Sequence, residues 1–216
     1  MSKKTIYDAL RAAGMTQEGA CGLMGNMMAE SGMRSNNAQD GCGVDDAAYT
    51  FSADAGQNNF CNDSIGYGLC QWTAADRKRK LLAYAKSQGV SVSDEDMQVR
   101  FCIAEMQQPE YMRVLFTLCS SHDIDACADI VCNTYERPAI NNYPIRRQYA
   151  REVFSEFAGS GALAEEHAAV DHVGDAAGMA QTTQPEISGA LAMLAGYLQT
   201  EEFQKNFLKY IEEGPK

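Results

Sequence analysis

The chain has 216 residues, 45% hydrophobic and 22% charged, ordinary values for a globular protein with a core to bury, and its length fits one domain plus an appendage. A net charge of −11, with Arg77-Lys78-Arg79-Lys80 as the only dense basic run, excludes nucleic acid as the main partner, because phosphate neutralisation needs clustered Lys and Arg. No apolar run of about 18 residues is present and the start carries lysines without an apolar h-region, so neither membrane insertion nor a signal peptide is expected.

The first 157 residues read as a succession of helices after an opening one. Thr16 is a helix cap, and Ala20, Leu23, Met24, Met27 and Met28 recur on one apolar face that ends where Gly32 suits a helix C-terminus. Residues 35–66 change character to Asn, Asp, Gly, Ala and Ser, which reads as a long loop or a small β region; a loop of that length is usually functional. Thr73 with Asp76 forms a capping pattern for a helix through Leu81, Leu82 and Ala85 to Gly89. Ser93 and the acidic run after it start another, with Met97, Phe101, Cys102, Ala104 and Met106 on its buried side. Pro109 opens a short helix over residues 109–118. A further helix over 123–135 stops before Pro138, and Pro144 begins one marked by Ile145, Tyr149, Val153, Phe154 and Phe157.

Composition then shifts. Residues 1–157 carry 15 basic and 20 acidic side chains, whereas the much shorter 158–216 carries 3 and 9. Residues 158–184, beginning with Ala158 and Gly159-Ser160-Gly161, read as a linker with one weak helix around 163–173. Residues 185–216 offer two apolar stripes, Ile187, Leu191, Leu194 and Leu198, then Phe203, Phe207, Leu208 and Ile211. So short a helical module is expected to dock on a partner, on a second copy or on the rest of the chain.

Eight cysteines lie at 21, 42, 61, 70, 102, 119, 127 and 132. No C-x-x-C pair occurs, and the one H-x(3–5)-H spacing, His167 with His172, lies in a polar segment without nearby Cys, so no structural zinc or other metal is expected. The thiols read as reduced and mostly buried, although Cys42 and Cys61 could pair in an oxidising medium. No cysteine sits in a recognisable nucleophile context with His122, which argues against a cysteine peptidase.

Three short elements carry chemistry. Glu30 lies in the last turn before Gly32, beside Met27 and Met28. The negative end of the helix dipole and apolar neighbours both favour a protonated carboxyl, the requirement for a general acid. In Gly66-Tyr67-Gly68-Leu69-Cys70-Gln71-Trp72, glycines permit close backbone approach to a ligand, and Tyr, Gln and Trp are side chains that bind sugar rings. Tyr135-Glu136-Arg137-Pro138 closes a helix with an acid beside a base.

In this order the three elements resemble the phage tail-type lysozyme family, relatives of goose-type lysozymes and lytic transglycosylases. The resemblance covers a Gly-Asn-x-x-Ala-Glu-Ser-Gly block at residues 25–32, Asn-Asp-Ser-x-Gly-Tyr-Gly-Leu-x-Gln-Trp-Thr at 62–73, Tyr84-Ala85-Lys86 and the Glu-Arg-Pro block. It implies a mainly α, lysozyme-like catalytic domain over residues 1–157 that cleaves bacterial peptidoglycan between N-acetylmuramic acid and N-acetylglucosamine without a cofactor. Glu30 is the implied proton donor. Ser31, Tyr67, Gln71, Trp72, Tyr135 and Glu136 are expected to contact or support the glycan. Asp63 is the expected base because it immediately precedes the glycine-tyrosine turn; Asp40, Asp45, Asp46, Asp54 and Glu136 are its rivals, and hydrolysis against transglycosylation stays open. The remaining alternative is a non-catalytic glycan-binding tail component, which would have no need of Glu30. The family context further implies synthesis in the host cytoplasm, followed by action on the wall after release or from the virion. The C-terminal helices are expected to bind the wall or to form a homo-oligomer.

Overall fold

Helix α2, Gln17–Ser31, is the axis of the domain. Every residue from Gly19 to Met27 is buried, so the helix is covered on all sides and not along the single face its apolar spacing suggests. Three glycines one turn apart make this possible. A Cβ on Gly19 would lie 1.9 Å from the Leu118 carbonyl oxygen, one on Gly22 2.6 Å from Cys127 Cβ, and one on Gly25 2.6 Å from the Ala150 nitrogen. Neighbouring backbones therefore reach α2 at distances any side chain would forbid. Leu23, Met24 and Met27, fully buried between those contacts, each contribute about 1.5–3 kcal/mol of apolar burial.

The computed structural model describes residues 3–170, with side chains described through Phe157. The other helices are α1 (Lys3–Ala12), α3 (Asp46–Asp54), α4 (Ala75–Gln88), α5 (Glu95–Met106), α6 (Met112–Ser120), α7 (Ile124–Ile130) and α8 (Tyr143–Val170), of which α1, α6, α7 and α8 pack on α2. A 3-10 turn, Pro109–Tyr111, precedes α6, and a π-helical turn, Val131–Glu136, prolongs α7. The domain is mainly α, as expected. Among the described residues no strand forms; the backbone of Tyr67 makes isolated bridges to Ala38 and Trp72. No described helix is long and apolar enough to cross a membrane.

Several local signals act as read. Thr16 Oγ1 accepts the Gly19 N–H at 2.9 Å, and Gly32 and Gly89 close their helices in the left-handed conformation. Others differ. Within the segment expected as loop or β, Asp45 caps α3 by accepting the Ala48 N–H at 2.8 Å, and the helix buries Tyr49, Thr50 and Ala53. Thr73 does not cap α4; its hydroxyl donates to the Gln71 carbonyl at 2.9 Å, and the helix begins after Ala74 without a side-chain cap. Asp94, one residue beyond Ser93, caps α5. In α8 the buried row is Arg146, Ala150, Val153 and Phe157, one position off the stripe through Ile145 and Tyr149, because an arginine with an interior partner takes a core position. The α8 backbone continues to Val170, across Gly159-Ser160-Gly161 where composition reads as linker. The rest of the expected linker and the 185–216 module lie outside the described residues. All eight cysteines are free thiols, Cys42 and Cys61 included.

Candidate active site

A cleft of about 810 Å³ opens where the C-terminus of α2 meets the start of α4 and the end of the π-helical turn. Its walls include Glu30, Asp40, Gln71, Arg77, Glu136 and Arg137.

Glu30 reaches the cleft from the last turn of α2, and Arg146 Nη2 donates to its Oε1 at 2.6 Å. Arg146 is nearly inaccessible to water, and its Nη1 donates to Asn26 Oδ1 at 2.8 Å. Asn26 in turn donates through Nδ2 to the carbonyls of Gly22 and Ala128, each at 2.9 Å. One polar line thus runs from α7 through α2 and α8 to the Glu30 carboxylate, and the bare backbone at Gly25 lets α8 come close enough to complete it.

Glu136 lines the same cleft from the last residue of the π-helical turn. Arg137, at φ 51°, ends that turn with its N–H on the Cys132 carbonyl at 2.9 Å. Glu136 Oε1 is shielded from solvent and has no hydrogen-bond partner among the described residues. Burial, and then the charge of Glu30, push the Glu136 carboxyl well above the usual carboxylate range; the opposing pull of Arg77 and Arg146 does not offset them. Arg77 is already engaged. Its Nε and Nη2 lie 2.8 Å from Glu105 Oε1 and Oε2, and its guanidinium stacks 4.5 Å above the Tyr135 ring.

The three aromatic residues expected at the glycan, Tyr67, Trp72 and Tyr135, are buried and outside the cleft lining. Tyr67 and Trp72 are fully buried and pair their backbones across the glycine turn, N–H to carbonyl at 3.2 and 3.0 Å. The Tyr67 hydroxyl meets Thr50 Oγ1 at 2.6 Å. Trp72 Nε1 donates to Glu105 Oε2 at 3.0 Å, and the buried Tyr135 hydroxyl donates to the same oxygen at 2.6 Å. Ser31 is likewise inside: its hydroxyl proton is shared between the carbonyls of Met27 and Leu69, both at 3.1 Å, which pins the glycine turn to α2. Gln71 does line the cleft. Its φ of 45° aims the side chain back, so that Nε2 donates to the Asn37 and Gly68 carbonyls, both at 3.1 Å.

Asp63 is not among the cleft residues, and its carboxylate is fully engaged elsewhere. Oδ1 accepts from Lys78 Nζ at 2.5 Å and from the Ile65 N–H at 3.1 Å, and Oδ2 accepts from the Tyr49 hydroxyl at 2.7 Å. Lys78 is completely buried, also donates to the Ile65 carbonyl at 2.7 Å, and lies 4.4 Å from the Phe60 ring centre. Burial lowers the Lys78 ammonium and raises the Tyr49 hydroxyl, whereas Asp63 favours the proton on both. The structure places Asp63, the expected base, as the counter-ion of a buried lysine, which needs an anion. Of the rivals, Asp45 caps α3, Asp46 holds the Ala38 N–H at 3.0 Å and Asp54 holds the Val92 N–H at 2.8 Å. Only Asp40 and Glu136 line the cleft.

Arg146 and Glu105 make contacts at the site that no sequence motif announces. Asn26 stands in the first motif block, a signal that could have pointed to it; nothing in the spacing of Arg146 or Glu105 marks their partners.

The chain is 29% identical over 162 residues to Morphogenesis protein 1 of Bacillus phage B103, an alignment covering 72% of this chain and 39% of that protein. It therefore spans about two fifths of that relative's length. The model of the phage tail lysozyme family matches residues 2–157, the unit that carries the cleft, and the chain belongs to that family.

Proposed function

We propose that the chain is a muramidase that cleaves peptidoglycan at the bond between N-acetylmuramic acid and N-acetylglucosamine, with Glu30 delivering the proton to the glycosidic oxygen. The supporting observation is the placement of Glu30 at the helix end, inside a cleft and held by a buried arginine. In general acid catalysis such a group contributes about 10²–10⁴-fold. Gln71, Asp40 and Arg137 offer an amide and charged groups to the sugars along the walls. Family membership favours a wall glycan as substrate, and the retained Glu30 argues against a module that only binds.

Hydrolysis needs an activated water, whereas transglycosylation uses the sugar's own hydroxyl and no second ionised carboxylate. The engagement of Asp63 by Lys78 and Tyr49 supports transglycosylation as the second reading. Digestion of purified peptidoglycan followed by mass spectrometry tests both: reducing-end muramic acid marks hydrolysis, a 1,6-anhydro end marks transglycosylation, and no fragments overturn the proposal. The relative's name, a morphogenesis protein, favours an enzyme carried on the virion over a freely released lysin. Residues 185–216 are proposed as a helical module for wall binding or self-association. A chain ending at Ala158 should cleave soluble glycan but bind walls less well or show a smaller mass in solution.

A further inference from the structure

We propose that Glu136 is the proton-holding partner of Glu30. The two carboxyl groups carry one proton between them in the free enzyme, and that proton is the one delivered to the glycosidic oxygen. This rests on the glycan-cleavage reading above.

The argument begins with an imbalance. The neighbouring interior carboxylates each have a cation: Glu30 has Arg146, Glu105 has Arg77, and Asp63 has Lys78. Glu136 has none among the described residues, and its Oε1 is shielded and unpartnered there. With Oε1 cut off from water and unpaired, ionisation of this carboxyl is costly, which favours its protonated form. Its surroundings reinforce this. From α2 it faces Glu30, from α4 Arg77, from α5 Cys102, from α8 Arg146, from the glycine turn Cys70, and from its own turn Cys132. Both arginines already hold carboxylates, the thiol of Cys70 is itself pushed well up by burial, and the remaining anion, Glu30, repels a second charge. The π-helical turn puts Glu136 on this wall, and such turns recur at functional sites.

The proton balance closes within the site. As the bond from C1 to the glycosidic oxygen breaks, its electron pair goes to the oxygen, which takes the proton from the Glu30–Glu136 pair. Both carboxylates are then ionised, opposite the positive charge developing on the sugar ring and beside Arg146 and Arg77. Attack on C1 by a hydroxyl, of water or of the sugar, releases a proton that returns to the pair. Glu30 touches the reacting oxygen; Glu136 is a positioning residue that acts through it.

The test is the pH dependence of kcat/KM on soluble peptidoglycan fragments for the full wild-type chain and for Glu136→Gln. Glutamine keeps the size and loses the proton. The expected result is that the basic limb of the profile moves at least one pH unit lower, with activity at pH 7 reduced about 10-fold or more and recovered on acidification. The same chain labelled with carboxyl-13C glutamate should show one glutamate still protonated well above the ordinary range, and Glu30→Gln should lower where it titrates. This NMR titration decides the matter if Glu136→Gln fails to fold. A cleaving wild type with an unmoved basic limb in Glu136→Gln, or with no high-titrating glutamate, overturns the pair alone. A wild type that releases no fragments at any pH overturns the glycan-cleavage reading and the pair with it.

Discussion

Arg77 sets Nε and Nη2 on the two oxygens of Glu105, each at 2.8 Å, and so closes a buried fork directly behind the cleft. Glu105 Oε2 also takes the Trp72 indole N–H and the Tyr135 hydroxyl, so one carboxylate joins α4, α5, the glycine turn and the π-helical turn. Glu105→Ala leaves Arg77 without its anion and two buried donors unpaired. The expected loss is about 3–5 kcal/mol, the range for breaking a buried pair from one side, read as a lower urea midpoint. A change within about 0.5 kcal/mol would show that the fork is dispensable.

The same two walls predict opposing pH slopes. Burial raises the Glu105 carboxyl, but hydrogen bonds and charge from Arg77 outweigh it and the net shift is downward. Its stabilising contribution is therefore present above the ordinary value of 4.5 and is lost as pH falls through the depressed one. Glu136 is shifted the other way, chiefly by burial, so the folded chain binds its proton more tightly than the unfolded chain does. Stability then declines as pH rises from 4.5 through the raised value. Urea midpoints measured against pH should show both limbs, and Glu136→Gln should abolish the upper decline while leaving the acid limb in place.

Asp63→Asn separates anchor from base. Because Asp63 neutralises the buried Lys78, its loss leaves an uncompensated interior ammonium, and a destabilisation of about 3–5 kcal/mol is expected. Turnover by the fraction that remains folded at low temperature should stay within about 3-fold of wild type. A stable variant with turnover reduced in the range of a lost catalytic group, about 10²-fold or more, would restore Asp63 to the reaction.

What the sequence makes legible here is local. Thr16 and Gly32 act within a few residues of themselves, and the motif block around Glu30 places that side chain at a helix end in the cleft. What stays hidden depends on partners far along the chain. Lys78 stands in the one dense basic run, and only the fold seats it beside Asp63 and Tyr49. Trp72 and Tyr67 belong to residue types shared by sugar sites and cores, and spacing cannot tell the two apart. Glu30 and Arg146 are 116 residues apart, and an arginine in the buried row of α8 breaks the apolar pattern by which that row would be found. The α3 helix was obscured for a different reason: its sequence lacks an apolar stripe, and the cap at Asp45 is its one strong signal.

Gly25 links packing to chemistry, and Gly25→Ala should disturb both. The added methyl would lie 2.6 Å from the Ala150 nitrogen and 2.7 Å from the Arg146 carbonyl oxygen. Both are backbone atoms, so no side-chain rotation relieves the clash; α8 must move away from α2. Overpacking of this kind destabilises by about 1–3 kcal/mol. The displacement falls on the residue whose guanidinium holds Asn26 and Glu30, so the Glu30 carboxylate loses its fixed orientation as well. Misplacement of a catalytic group by about 1 Å can lower the rate about 10²-fold. The expected signature is a modest fall in thermal midpoint with a disproportionate fall in kcat and little change in KM. Ala150→Val, which crowds the same contact from the other helix, should reproduce that pattern. A Gly25→Ala chain that loses stability but turns over at the wild-type rate would show that the α2–α8 contact supports the fold without setting the position of Glu30.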